Sequence, residues 1–359
     1  MSRISTHRRP RIGSYPRIGL ATATVVALGG SLIAAPALAD DRGLYGTADA
    51  TYDGVYRQGL AIVALASRET KVPKRAIKWL RKQQCDNGSF VSYRDDPATD
   101  CPASDPVNFS GPDSNSTAMA AMALQAIGDK KRARKARSWL VRSQSDAGGF
   151  PYIKGGSPDV NSTGLVLAAL YPWKTQLNEE LRPARKLIKR AQLPCSAGTD
   201  RGLMSYVPEP QSRSSLASAQ ALMGLVGTLP PERAKIEKKV RTKCESGLQT
   251  AKGNSTFDLM KGIKRAIAAE NGLRNDFGAG IDTTATVHAL TALATARYAS
   301  GTVKRGMKTL APSVRDYTGT DTEISPAATA LLLTLRTTTK KGVRFGSVDL
   351  LDQLQASLR

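Results

Sequence analysis

The chain has 359 residues, with 52 Lys and Arg against 30 Asp and Glu (formal charge +22), 41% hydrophobic and 5% aromatic residues. An apolar share of that size sustains a sizeable core, which excludes wholesale disorder and a miniprotein held by disulfides alone. The length admits one large domain or two ordinary ones.

In chain order the first feature is a leader. Arg3, Arg8, Arg9, Arg11 and Arg17 carry the only charges before Asp40, residues 18–35 are uncharged and mostly apolar, and Ala37-Leu38-Ala39 puts small residues at the two positions a signal peptidase reads. Gly19, Thr22, Thr24, Gly29, Gly30 and Ser31 dilute the stretch below the ~20 strongly apolar residues of a membrane anchor. The order predicts a signal peptide over 1–39, cleavage after Ala39, a short extension over 40–51 and one domain over 52–359. Arg8-Arg9 is followed by Pro10 and Arg11, a weak match to a twin-arginine signal. Without its five leader Arg the chain still carries +17, and no later apolar run is long enough to span a bilayer, so a secreted product is expected.

Beyond the leader, two patterns alternate. Ala/Leu-rich segments apolar nearly all round start near Gln58, Ala118, Gly164, Ser215, Thr283 and Ser325. Burial on every side and small residues that permit close packing make these inner helices. Between them lie amphipathic segments with charged faces over 71–83, 129–142, 181–190, 233–243, 302–310 and 349–359, which read as outer helices, with an additional helical stretch over 257–269. The segments also repeat. Trp79-Leu80, Gln84, Gly88 and Phe90 recur as Trp139-Leu140, Gln144, Gly148 and Phe150 at one offset of 60, and a degenerate third copy has Leu187-Ile188 and Gln192. Asp113-Ser114-Asn115-Ser116-Thr117 likewise matches Asp159-Val160-Asn161-Ser162-Thr163 ahead of inner helices. A helix pair of this kind cannot bury its inner face alone and must stack on its neighbours. Six pairs closing a ring is the economical solution, which predicts an all-α, α6/α6 toroid of about twelve alternating helices.

WLVRSQSDAGGFPY followed by DVNSTGLVLAAL resembles the repeats of the terpenoid cyclase and protein prenyltransferase α/α toroids, shared by squalene cyclases, prenyltransferase β subunits and transcobalamin-like domains. The likeness covers essentially residues 52–359 and is sharpest from Trp79 to Leu170. It implies a barrel whose inner-helix N-termini open on a cavity. Chemistry does not travel with such a fold, so each member's site has to be sought in these residues.

The D-x-D-D motif with which class II terpene cyclases protonate an alkene does not occur; Asp95-Asp96 and Asp100 read as an exposed, Pro-containing acidic loop. Few aromatic residues are on hand to line a carbocation cavity. The Asp, Cys and His of a prenyltransferase zinc site are not assembled, because His288 is the one histidine after the leader and no Cys follows Cys244. No metal and no cofactor are expected. His288, on an Ala/Leu helix, reads either as a buried residue bonded to a neighbour or as a ligand contact. No G-x-S-x-G elbow accompanies it. Asp113 and Asp159 fit helix caps, while acid pairs drawn from Asp113, Asp159, Asp282 and Glu323 leave a glycan-acting or terpenoid-acting enzyme open.

Outside the cell an even count of Cys85, Cys101, Cys195 and Cys244 favours two disulfides; four Cys allow three pairings, and sequence proximity favours Cys85 with Cys101 and Cys195 with Cys244. The basic runs over 130–142, 182–190 and 233–243 read as solvated faces that attract polyanions, without the interleaved aromatics of a nucleic-acid module. Taken together, the residues predict a secreted, non-catalytic binding protein. Its partner is either a small ligand, contacted by Asp113, Asn115, Asp159, Asn161, Asp282 and His288, or an anionic envelope polymer; the alternative is a divergent extracellular enzyme.

Overall fold

Segments apolar on every side have to be enclosed on every side, and the ring that encloses them here is closed. A computed structural model describes residues 42–227, 255–320 and 323–359. The inner helices are α1 (Gly54–Ser67), α3 (Ser114–Ala126), α5 (Val160–Leu170), α7 (Ser215–Val226), α9 (Thr283–Thr295) and α12 (Pro326–Thr338). Each packs on the next in that order, and α12 packs back on α1. The outer helices are α2 (Lys74–Lys82), α4 (Lys130–Arg142), α6 (Asn178–Arg190), α8 (Ser255–Glu270), α10 (Ser300–Leu310) and α13 (Leu350–Ala356), each laid against its inner partner; the short α11 (Val314–Thr318) precedes α12. The fold is therefore the expected all-α, α6/α6 toroid.

Small residues set the spacing. A Cβ on Gly164 of α5 would lie 2.5 Å from the carbonyl carbon of Gln220 on α7, so these two helices meet backbone on backbone. The inner helices start on a recurrent device. Asp113, Asp159, Ser214, Asp282 and Ser325 each accept a backbone N–H three residues on, satisfying a free donor of the first turn. One residue further, Thr117, Thr163, Ser218 and Thr286 each accept from the backbone N–H of the preceding loop, at Phe90, Phe150, Met204 and Leu273, over 2.8–2.9 Å.

The repeated Gln is a clamp. Gln84, Gln144 and Gln192 each donate twice through Nε2, once to the glycine carbonyl of the following loop and once to a carbonyl at the start of the next outer helix. Those second acceptors are Arg132 on α4, Glu180 on α6 and Ser255 on α8. This corrects one expectation: α8, read from sequence as an additional stretch, is the outer helix between α7 and α9. The segment 233–243, expected in that role, lies outside the described residues. What marks α8 as an outer helix is the clamp register at Ser255, a signal that amphipathic charge does not carry.

The stretch ahead of Tyr52, expected as a short extension, packs into the fold. Leu44 and Tyr45 are fully buried, and Gly43 and Gly46 donate to the carbonyls of Arg359 and Ser357. At the start of α1, Arg57 replaces the hydroxyl of the other inner helices. It is buried and donates to the carbonyls of Tyr45, Ala48 and Asp49 and to the Asp53 carboxylate. The signal peptide expected over 1–39 lies outside the described residues. Among those described, no helix is long and apolar enough to cross a membrane.

Cys85 and Cys101 form the expected disulfide. Cys195 is also disulfide-bonded; Cys244, its expected partner, lies outside the described residues. Asp95, Asp96 and Asp100 are exposed in the loop that the first bridge closes.

Candidate functional site: a polar cavity at the inner-helix N-termini

All six inner helices contribute to one cavity of about 420 Å³. Because inner helices run parallel around a toroid, their capped N-termini converge at one end. The lining there is polar: Asp113, Asn115 and Ser116 from α3, Asn161 from α5, Gln220 from α7, and Thr284 and His288 from α9. Deeper in, Leu60, Leu331 and Ala328 make it apolar. Four tyrosines, Tyr52 ahead of α1, Tyr56 of α1, Tyr152 of the loop before α5 and Tyr317 of α11, complete the wall, with the Tyr317 hydroxyl 2.9 Å from Thr284 Oγ1.

Four side-chain oxygens in this wall are buried without a hydrogen-bond partner among the described residues: Asp113 Oδ2, Asn115 Oδ1, Asn161 Oδ1 and Gln220 Oε1. Buried polar atoms are ordinarily paired, and each orphan costs of order 1–3 kcal/mol. Asp113 spends only one oxygen on its cap, accepting from Ser116 N at 2.7 Å. Burial pushes its carboxyl up to about 6 against the opposing hydrogen bonds from Ser116 and Asn115. Burial likewise pushes the Tyr56 hydroxyl well above its ordinary range and holds His288 down to about 4, so that the imidazole is neutral. His288 is 2% exposed, and its imidazole makes no hydrogen bond among the described residues.

Of the residues anticipated from sequence, Asp113, Asn115, Asn161 and His288 are thus brought together. Asp159 and Asp282 do not line the cavity. Asp159 accepts from Ser162 N at 2.7 Å and Asp282 from Ala285 N at 2.8 Å, which is capping work. Burial pushes the Asp159 carboxyl up to about 6 against the opposing hydrogen bonds from Ser162 and Asn161. Tyr56, Tyr152, Tyr317, Gln220 and Thr284 were not anticipated; Gln220 shares its place inside an Ala/Leu segment with Gln58 and Gln125, so nothing in the sequence set it apart. Among the described residues no three His, Cys, Asp or Glu side chains gather as a metal would require.

No protein-family profile matches the chain, and no curated protein matches it in sequence. Solved structures are similar to it in fold. The ent-copalyl diphosphate synthase from Streptomyces platensis superposes with a TM-score of 0.51 at 17% identity, over 80% of this chain and 50% of that one, so the chain spans about half the length of the synthase. An alpha-amylase from Clostridium perfringens superposes with the same TM-score of 0.51 at 10% identity, over 80% of this chain and 86% of that one. What is shared is the α/α-toroid architecture of the terpenoid cyclases. That a diphosphate synthase and an amylase both carry it shows how little of the chemistry the fold dictates.

Proposed function

We propose that this is an exported, non-catalytic binding protein whose central cavity holds a small ligand rich in hydrogen-bond donors, such as a polyhydroxylated molecule. The observation that carries the reading is the convergence of the four unpartnered oxygens of Asp113, Asn115, Asn161 and Gln220 on one cavity. A ligand that donates to them removes a standing desolvation cost. A volume of about 420 Å³ lies toward the small end of ligand pockets, roughly 300–1,000 Å³. Tyrosine rings beside carboxyl and amide groups suit a ligand with both apolar and hydroxyl faces. Export is supported by the leader pattern and by the disulfide-bonded cysteines.

Mass spectrometry of small molecules released from the purified protein tests this. Wild type and Asp159→Asn, whose carboxyl only caps, are expected to retain the same compound. Asn115→Ala combined with Asn161→Ala is expected to lose it with its circular dichroism unchanged. Equal retention by all three proteins would remove the cavity from consideration and leave the basic outer faces, with an anionic envelope polymer as their partner.

A divergent enzyme has one observation of its own. Asp113, with its carboxyl near 6, and Asp53 both line the cavity, and a buried acid in that range suits proton transfer near neutral pH. Asp53 is tied to Arg57 at 2.6 Å, whereas Asp113, with Oδ1 on its cap, keeps Oδ2 without a partner among the described residues. Asp113→Asn would cut turnover of any substrate found by roughly 100-fold or more, whereas a binding site would lose only affinity.

A further inference from the structure

A second concavity, of about 740 Å³, lies where the C-terminal ends of α9 and α12 meet α10 and the hairpin of β1 (Arg344–Phe345) and β2 (Val348–Asp349). Its floor is apolar, with Leu293, Val303, Met307 and Phe345. Around that floor stand Arg297, Lys304, Lys308, Arg336, Lys341 and Arg344, and no acidic side chain is in the lining. Arg336 rests its guanidinium 5.4 Å above the Phe345 ring. The other five cations are exposed.

None of these six cations forms an ion pair among the described residues, although cations elsewhere do: Arg81 with Asp129 at 2.8 Å, Arg213 with Asp276 at 3.1 Å and Arg274 with Glu270 at 3.1 Å. The nearest ladder acid, Asp349 opposite Arg344, has its carboxylate engaged with the backbone of Leu351 and Asp352 at the start of α13. Like charges gathered around a low-dielectric floor repel one another, and Arg68 already opposes the charge on Arg336. A bound anion relieves that repulsion. A hydrophilic polyanion would satisfy the charges and leave the apolar floor against water, while a neutral hydrocarbon would do the reverse.

We infer that this groove binds an amphiphilic anion, a single alkyl or acyl chain on the floor with a phosphate or carboxylate head among the six cations. The site is separate from the central cavity, shares none of its lining, and does not depend on the reading given to it.

Calorimetric titration of the purified protein with dodecyl phosphate below its micelle concentration tests the site, with inorganic phosphate as the head alone and dodecyl maltoside as a tail with an uncharged head. Dodecyl phosphate is expected to bind about tenfold or more tighter than either. Reversing three exposed charges with Lys304→Glu, Lys308→Glu and Lys341→Glu should weaken it by a further factor of about ten or more at an unchanged melting temperature. The same reversal on α4, with Lys130→Glu, Lys131→Glu and Lys135→Glu, should leave it alone. Equal affinity for inorganic phosphate, equal affinity for the maltoside, or equal loss in both triple variants would each overturn the inference. Sedimentation with phosphatidylglycerol vesicles then separates two sources of the same chemistry. Co-sedimentation lost in the groove variant identifies a lipid taken at a bilayer surface. Binding of dodecyl phosphate without co-sedimentation identifies a free monomer.

Discussion

Asp113 and His288 face one cavity and answer to pH in opposite directions. Burial raises the folded-state pKa of Asp113 from 3.8 to about 6. The folded protein then holds this proton more tightly than the unfolded chain, so the contribution is fully present below about pH 4 and is lost as pH rises through about 6. Asn caps a helix nearly as well as Asp. Asp113→Asn, in ligand-free protein, is therefore expected to gain stability relative to wild type between pH 4 and 7, by an amount on the order of a few kcal/mol. Urea unfolding at each pH reads the gap; a gap independent of pH would show that the carboxyl is not desolvated. For His288 the folded value falls from 6.5 to about 4. Its contribution is present above about 6.5 and is lost as pH falls through about 4, because the unfolded chain takes up the proton first. His288→Gln should thus cost most at neutral pH, and the deficit should shrink on acidification over the same urea series. Ligand-bound protein is expected to give a flatter profile at Asp113, since a donor on Oδ2 supplies what burial removed.

At the scale of elements, the Gln clamp explains why some of the fold was legible and some was not. Gln144 holds the Gly148 carbonyl at 2.7 Å and the Glu180 carbonyl at 3.0 Å. The loop between must bring Gly148 against α6 with φ near +93°, where a Cβ would lie 2.6 Å from that of Pro183. Those residues recur in the sequence because each does backbone work that few side chains can replace. Gln144→Ala is expected to cost about 1 kcal/mol by orphaning the partly buried Gly148 carbonyl and leaving the exposed Glu180 carbonyl to water, and Gly148→Ala to cost more because it meets both strain and a clash. Shifts of the urea midpoint at constant slope check both. The third copy was hard to see because its acceptor, Gly202, sits ten residues after Gln192 instead of four, across the loop that begins at Cys195. Asn115 and Asn161 were legible for the same reason as the clamp, being paired positions in a repeat. Tyr56, Tyr152, Tyr317 and Gln220 occur once each on different elements, and only ring closure makes them neighbours. Asp159 and Asp282 share the Asp113 pattern but not its place on the cavity wall, a distinction that sequence pattern does not carry.

Across the whole molecule, the cavity exists because the ring closes, and it closes between α12 and α1. Part of that seam lies outside the two helices. Gly46 donates to Ser357 O at 2.7 Å, Gly43 to Arg359 O at 2.9 Å and Arg359 to Leu44 O at 3.0 Å, while Leu350 and Leu354 of α13 are buried beneath. Residues 357–359 thus tie the strap before α1 to the helix after α12, and none of the three lines the cavity. A protein truncated after Ala356 loses these three backbone hydrogen bonds across the seam, and those of Ser357 N to Gln353 O and Leu358 N to Gln355 O, and is expected to be less stable by ~2 to 4 kcal/mol, with a lower thermal midpoint. Ligand retention should fall with it, since α1 supplies Asp53 and Tyr56 to the cavity and α12 supplies Ala328 and Leu331 from the other side of the same seam. The comparison that isolates the seam is Lys340→Gly, a change at an exposed residue that follows α12 on the opposite end of the ring and makes no side-chain hydrogen bond among the described residues. It should lower neither midpoint nor retention, because Lys340 stands at φ +57°, where glycine is at ease. If the truncated protein melts with the full chain and keeps its ligand, closure rests on the α1–α12 packing alone, and the terminal strap is a passenger on a ring that the inner helices complete by themselves.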